Sequence, residues 1–87
     1  MVFLARITES AEMNLIGDNI KKYRLMRKYT QKQLSDKLET SAVYICRGSI
    51  ARIEGKTRSV TDIELWGFAT VLEVPICDLF DKDKIIK

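Results

Sequence analysis

Two four-residue signals, Thr30-x-x-Gln33 and Thr61-x-x-Glu64, constrain this chain more than anything else in it. In each, a threonine hydroxyl and the side-chain oxygen three positions on can accept from one another's backbone N–H. That reciprocal pair satisfies two donors that the first turn of a helix otherwise leaves without partners. One helix is therefore expected to begin at Gln31 and another just after Thr61, where Asp62 and Glu64 also suit the positive end of the helix dipole. Leu34 and Leu38 follow the first signal on one helical face, and Leu65, Phe68, Ala69 and Leu72 follow the second.

The stretches around these anchors read as helices as well. From Asn14 to about Lys28, Leu15, Ile16, Ile20, Tyr23 and the aliphatic stem of Arg24 recur at three- and four-residue steps, and Tyr29-Thr30 breaks the pattern. The helix opened at Gln31 runs to about Ser41. Ala42 to Cys46 is β-branched and aromatic, too short for a core helix, and reads as a turn. Arg47 to about Glu54 forms a short basic helix with Ile50 and Ile53 inward, and Gly55 is placed to end it in the left-handed conformation. Pro75 fits the first turn of a last short helix that closes at Leu79 and Phe80.

Eighty-seven residues, 46% of them hydrophobic and 31% charged, with four Gly and one Pro, make a single all-α domain with no room for a second, catalytic one. Residues 1–13 read as an N-terminal arm that is disordered, adds to a dimer contact or reaches DNA, and Met13 within it is an alternative start. Residues 14–81 are the domain and 82–87 a charged tail. Val2 to Ala5 is too short for a signal peptide and no later stretch approaches a membrane span, so a cytoplasmic protein is expected. Cys46 and Cys77 stand far apart in a chain without His, so a zinc ligand set cannot be assembled and two free thiols are expected. Neither a cofactor, a metal nor a small-molecule ligand is indicated.

Charge is distributed unevenly around the net +3. Between 14 and 60 there are eleven cations (Lys21, Lys22, Arg24, Arg27, Lys28, Lys32, Lys37, Arg47, Arg52, Lys56, Arg58) against Asp18, Asp36, Glu39 and Glu54, a balance of +7. Residues 61–87 carry −3 and residues 1–13 carry −1. The middle of the domain is thus a candidate surface for a polyanion, although charge alone fits ordinary solvated helix faces equally well.

The segments IGDNIKKYRLMRKYTQKQLSDKL, GSIARIEGK and TDIELWGFATVLEVPICDLF, in that order, resemble the phage-repressor and Cro-like (XRE) helix-turn-helix family of bacterial transcription regulators. The likeness runs from Ile16 to Phe80. Its most specific parts are Thr30-Gln31 with Leu34, the Ile50 and Ile53-Glu54 pattern closed by Gly55, and Val74 to Phe80. The resemblance implies a five-helix, lambda-repressor-like domain whose second and third helices form the motif, the third lying in the major groove. One departure is visible: between Leu38 and Ile50 the chain is about five residues longer than the family pattern, with ETSAVY as the surplus, so the motif turn is lengthened and Tyr44 is the residue most affected.

On this likeness Arg47, Gly48, Ser49 and Arg52 are expected to read base edges, the arginines pairing with guanines. Gly48 destabilises a helix relative to Ala, which fits close approach to DNA, though a glycine in a first turn is also ordinary. Gln31, at the start of the second helix, is expected to grip a phosphate, with Lys56, Arg58, Lys28 and Lys32 as further phosphate contacts. Arg24 and Glu54 occupy positions that pair in the family and are assigned to structure. Cys46, at the start of the reading helix, is either a small residue tolerated there or an oxidation-sensitive thiol. Trp66 is either core or part of a dimer surface with Phe80, Ile85 and Ile86.

The expected function is sequence-specific binding of double-stranded DNA by a homodimer, as a transcriptional repressor. The alternative is an antitoxin or other module whose main partner is a protein. An enzyme is not expected, because the chain has no His, no nucleophile motif and no phosphate-binding glycine loop.

Overall fold

The computed structural model describes residues 12–80; most of the expected arm, and the tail with Ile85 and Ile86, lie outside the described residues. These residues form α1 (Gly17–Met26), α2 (Gln31–Thr40), α3 (Arg47–Glu54), α4 (Asp62–Leu72) and a one-turn 3-10 helix (Ile76–Leu79), with no strand among them. The fold is all-α. The fifth helical element is a 3-10 helix: its i→i+3 bonds include Asp78 N–H to the Pro75 carbonyl at 3.0 Å and Phe80 N–H to the Cys77 carbonyl at 3.3 Å, and Pro75 sits just before it as the cap.

Both capping boxes form. The Thr30 hydroxyl accepts from the Gln33 N–H at 3.0 Å while the Gln33 side chain accepts from the Thr30 N–H at 2.8 Å. At α4 the matching distances are 3.2 Å and 3.0 Å. α2 and α4 therefore start where the sequence signals require.

α1 starts three residues later than its apolar period suggests, because Asn14 works as a clamp. Its side-chain oxygen accepts from the N–H groups of Ile16 and Gly17 at 3.1 and 2.8 Å. Its amide donates to the carbonyls of Ile53 and Arg58 at 3.1 and 2.8 Å, joining the root of α1 to the end of α3. The approach is so close that a Cβ at Gly17 would collide with the Ile53 carbonyl oxygen. Leu15, expected on the inward stripe, lies on this turn ahead of the helix and is 42% exposed.

Each α-helix ends in the same way, with a non-glycine residue in the left-handed region: Lys28 (φ 63°), Ala42 (62°), Lys56 (63°) and Glu73 (60°). The residue after each returns its N–H to a carbonyl five positions back, Tyr29 to Arg24, Val43 to Leu38, Thr57 to Arg52 and Val74 to Ala69, at 2.9–3.1 Å. Gly55 is thus not the left-handed residue. α3 carries one further hydrogen bond, from the Gly55 N–H to the Ala51 carbonyl, which keeps Gly55 helical at φ −82° and passes the reversal to Lys56.

The core is built from Ile20, Leu34, Leu38, Ile50, Ile53, Phe68, Leu72 and Leu79, all fully buried. Each such side chain contributes roughly 1.5–3 kcal/mol through removal from water. The segment between α2 and α3 joins this core. Val43 and Ile45 are each 3% exposed, and Val43 seats against Gly67, where a Cβ would lie 2.9 Å from a valine methyl. The Ser35 hydroxyl donates to the Ile45 carbonyl at 2.6 Å. α3 is consequently held from α2, α1 and the 43–46 segment, with one side turned to solvent. Trp66 is half exposed, one turn from an exposed Ile63. No helix among the described residues is long and apolar enough to cross a membrane.

Candidate functional site

The solvent side of α3 is made by Arg47, Gly48, Ala51 and Arg52, all exposed, with Ser49 half-buried at its edge. Ile50, Ile53 and Glu54 turn inward, as the 3.6-residue period demands. Neither Arg47 nor Arg52 has an ion-pair partner among the described residues. A Cβ at Gly48 would meet nothing within 4 Å, so no internal contact explains a glycine there. Ala51 belongs to this face although sequence reasoning passed over it. Its place four residues after Arg47 and three after Gly48 was the available signal.

Cys46 caps α3 without a conventional side-chain cap. Its sulfur lies 3.4 Å from the Ser49 hydroxyl, and hydrogen bonds that the Ser49 hydroxyl and backbone N–H can donate to the thiolate, reinforced by the Gly48 N–H and the Arg52 charge, hold the thiol below its ordinary value. Ser49 is therefore engaged with the helix cap. Cys46 and Cys77 are both free and exposed. Among the described residues no group of three His, Cys, Asp or Glu could hold a metal ion.

Beside this face the first turn of α2 approaches. Thr30, Gln31 and Lys32 line one side of an open cleft of about 620 Å³ whose other side is Arg47, Gly48 and Ala51. Gln31 is fixed at the cleft by a buried network. Its amide donates to Glu54 at 3.1 Å; Glu54 takes Arg24 at 2.7 and 3.2 Å; and Arg24 donates to the Tyr29 carbonyl at 2.8 Å. Arg24 and Glu54 are 7% and 8% exposed, and no buried side-chain polar atom of the described residues lacks a partner. Removing either charge would leave the other buried and unpaired, a loss of about 3–5 kcal/mol. The same ion pair thus joins three helices and orients the first residue of α2.

The expected phosphate contacts divide. Lys28 is exposed at the loop that leads into α2, and Lys32 is exposed with an i,i+4 partner, Asp36, at 3.3 Å. Lys56 instead points to the root of α1, where Asp18 holds its ammonium at 2.7 Å and Glu12 at 3.3 Å; the Asp18 hydrogen bond is the main reason its pKa is raised. Arg58 is taken bidentately by Glu64 at 3.0 and 2.9 Å, which raises the guanidinium pKa and lowers that of the carboxyl. Lys56 and Arg58 therefore stand away from the cleft as members of carboxylate pairs, whereas Gln31, Lys32, Arg47 and Gly48 are brought together around it.

No family model, curated protein or solved structure matches this chain.

Proposed function

We propose that this protein is a sequence-specific double-stranded DNA-binding transcriptional regulator of the phage-repressor type, acting as a repressor by occupying its site. In this reading α2 and α3 are a helix-turn-helix, and α3 enters the major groove with Arg47, Gly48, Ala51 and Arg52 toward the bases. Gln31 and the uncapped N–H groups of the first α2 turn meet a phosphate, with Lys28 and Lys32 beside them. Two copies bind together, because one eight-residue helix covers too few base pairs to bind tightly alone.

The observation that carries this reading is the outward side of α3. Two arginines without ion-pair partners among the described residues flank a glycine whose place would admit a Cβ without contact among them, beside the amino end of a second helix. Arginine's fork matches the O6 and N7 acceptors of guanine, each such contact discriminating by about 1–3 kcal/mol.

Selection of bound sequences from random duplexes with the purified chain tests it. A recovered motif containing guanine is expected, and recovery of no motif overturns the proposal. On the recovered duplex, Arg52→Ala should relax preference at one base position, whereas Lys32→Ala should weaken all duplexes alike. Equal effects from both substitutions would refute the division between reading and gripping.

A further inference from the structure

We propose that Tyr44 is a DNA-backbone contact supplied by the lengthened segment ahead of α3, its hydroxyl donating to a phosphate oxygen on the groove wall beside the α3 amino end. This inference rests on the duplex-binding reading above.

Tyr44 is 74% exposed between Val43 and Ile45, each 3% exposed. That alternation is the signature of extended chain, whose successive side chains point to opposite sides. Two anchored neighbours therefore drive the phenol outward. The anchoring is firm on both sides: the Val43 N–H donates to the Leu38 carbonyl at 3.0 Å and its methyls seat against Gly67, while the Ile45 carbonyl takes the Ser35 hydroxyl at 2.6 Å. The backbone that carries the ring is thus already ordered, and binding need only fix two side-chain torsions.

Position supplies the rest. Tyr44 precedes the α3 cap Cys46 by two residues, about 7 Å of extended chain. The major groove is about 12 Å wide, so with α3 along its centre a group displaced by about half that width falls at the wall, where the phosphates are. Arg47 and Arg52 make the adjoining face cationic, which draws the anionic strand toward it. A phenol is a neutral donor well suited to a phosphate oxygen, and tyrosine hydroxyls serve in this way at duplex backbones.

The test uses the full 87-residue chain and the duplex recovered by selection, at fixed salt. Tyr44→Phe keeps the ring and removes only the hydroxyl. Binding should weaken about tenfold, equally on the recovered duplex and on single-base variants of it, with the thermal midpoint unchanged. Methylphosphonate substitution, one position at a time, should then find a flanking phosphate whose neutralisation weakens the parent protein and leaves Tyr44→Phe unaffected. Parent-like binding by Tyr44→Phe overturns the proposal. So does a changed base preference in Tyr44→Ala, or a scan with no phosphate coupled to the hydroxyl. In each of these cases duplex binding by the parent, and the relaxed base preference of Arg52→Ala, leave the reading of α3 intact. If no duplex is recovered at all, both proposals fall together.

Discussion

Gly48 stands in the first turn of α3, where a methyl group would touch nothing in the chain and where alanine is the better helix former. Gly48→Ala should therefore raise stability by up to about 1 kcal/mol in urea denaturation while lowering affinity for the recovered duplex. Opposite signs from one substitution separate a glycine retained for an outside contact from one retained for folding; improved stability with unchanged binding would remove Gly48 from the reading face. At this scale the sequence was informative about residues that act through local spacing. The outward side of α3 follows from Arg47 and Arg52 being five positions apart with Ile50 and Ile53 opposite. It was uninformative about Lys56, whose cationic role depends on Asp18 and Glu12, 38 and 44 positions earlier. Counting charges along a chain gives their number and order, whereas distance decides which of them are neutralised by neighbours.

Helix ends show a second regularity, since all four α-helices reverse through residues that carry a Cβ, in a conformation that disfavours one by roughly 1–2 kcal/mol. Ala42 has the least compensation, having no polar side chain to bond locally. Ala42→Gly should stabilise the chain by about 1 kcal/mol, read as a higher urea midpoint with an unchanged slope. A lower midpoint would mean that the reversal is not left-handed as described. The contrast between starts and ends explains what could be read beforehand. Starts at Gln31 and Asp62 are written in side chains, Thr with Gln and Thr with Glu, so they were legible to the residue. Ends are written in backbone hydrogen bonds: the expected ends at about Lys28, Ser41 and Glu54 fall within two residues of those observed, but without glycine at 28, 42, 56 or 73 the reversing residues themselves were not marked. The segment between α2 and α3 shows the same limit: it was readable as a turn, but the seating of Val43 on Gly67 joins positions 24 apart.

Over the molecule as a whole, the excess of cations between 14 and 60 shrinks once geometry is included. Among the described residues Arg24, Arg27, Lys32, Lys56 and Arg58 are in ion pairs, while Lys21, Lys22, Lys28, Lys37, Arg47 and Arg52 are not. Those at or near the cleft are Lys28, Lys32, Arg47 and Arg52. With Lys28 and Lys32 meeting phosphates, the logarithm of affinity should fall against the logarithm of salt with a slope near −2 per copy. A slope near −7 or steeper would mean that further cations, Lys21, Lys22 and Lys37 or the carboxylate-paired Lys56 and Arg58, also meet phosphates. The buried pair Arg24 and Glu54 gives the other limit, because it ties α1, the first turn of α2 and the end of α3 into one unit. Among the described residues, the exposed positions 47, 48, 51 and 52 form no ion pair. On the duplex-binding proposal, folding and recognition are therefore under separate control, and the site such a chain addresses could be rewritten one side chain at a time while the scaffold that presents it stays the same.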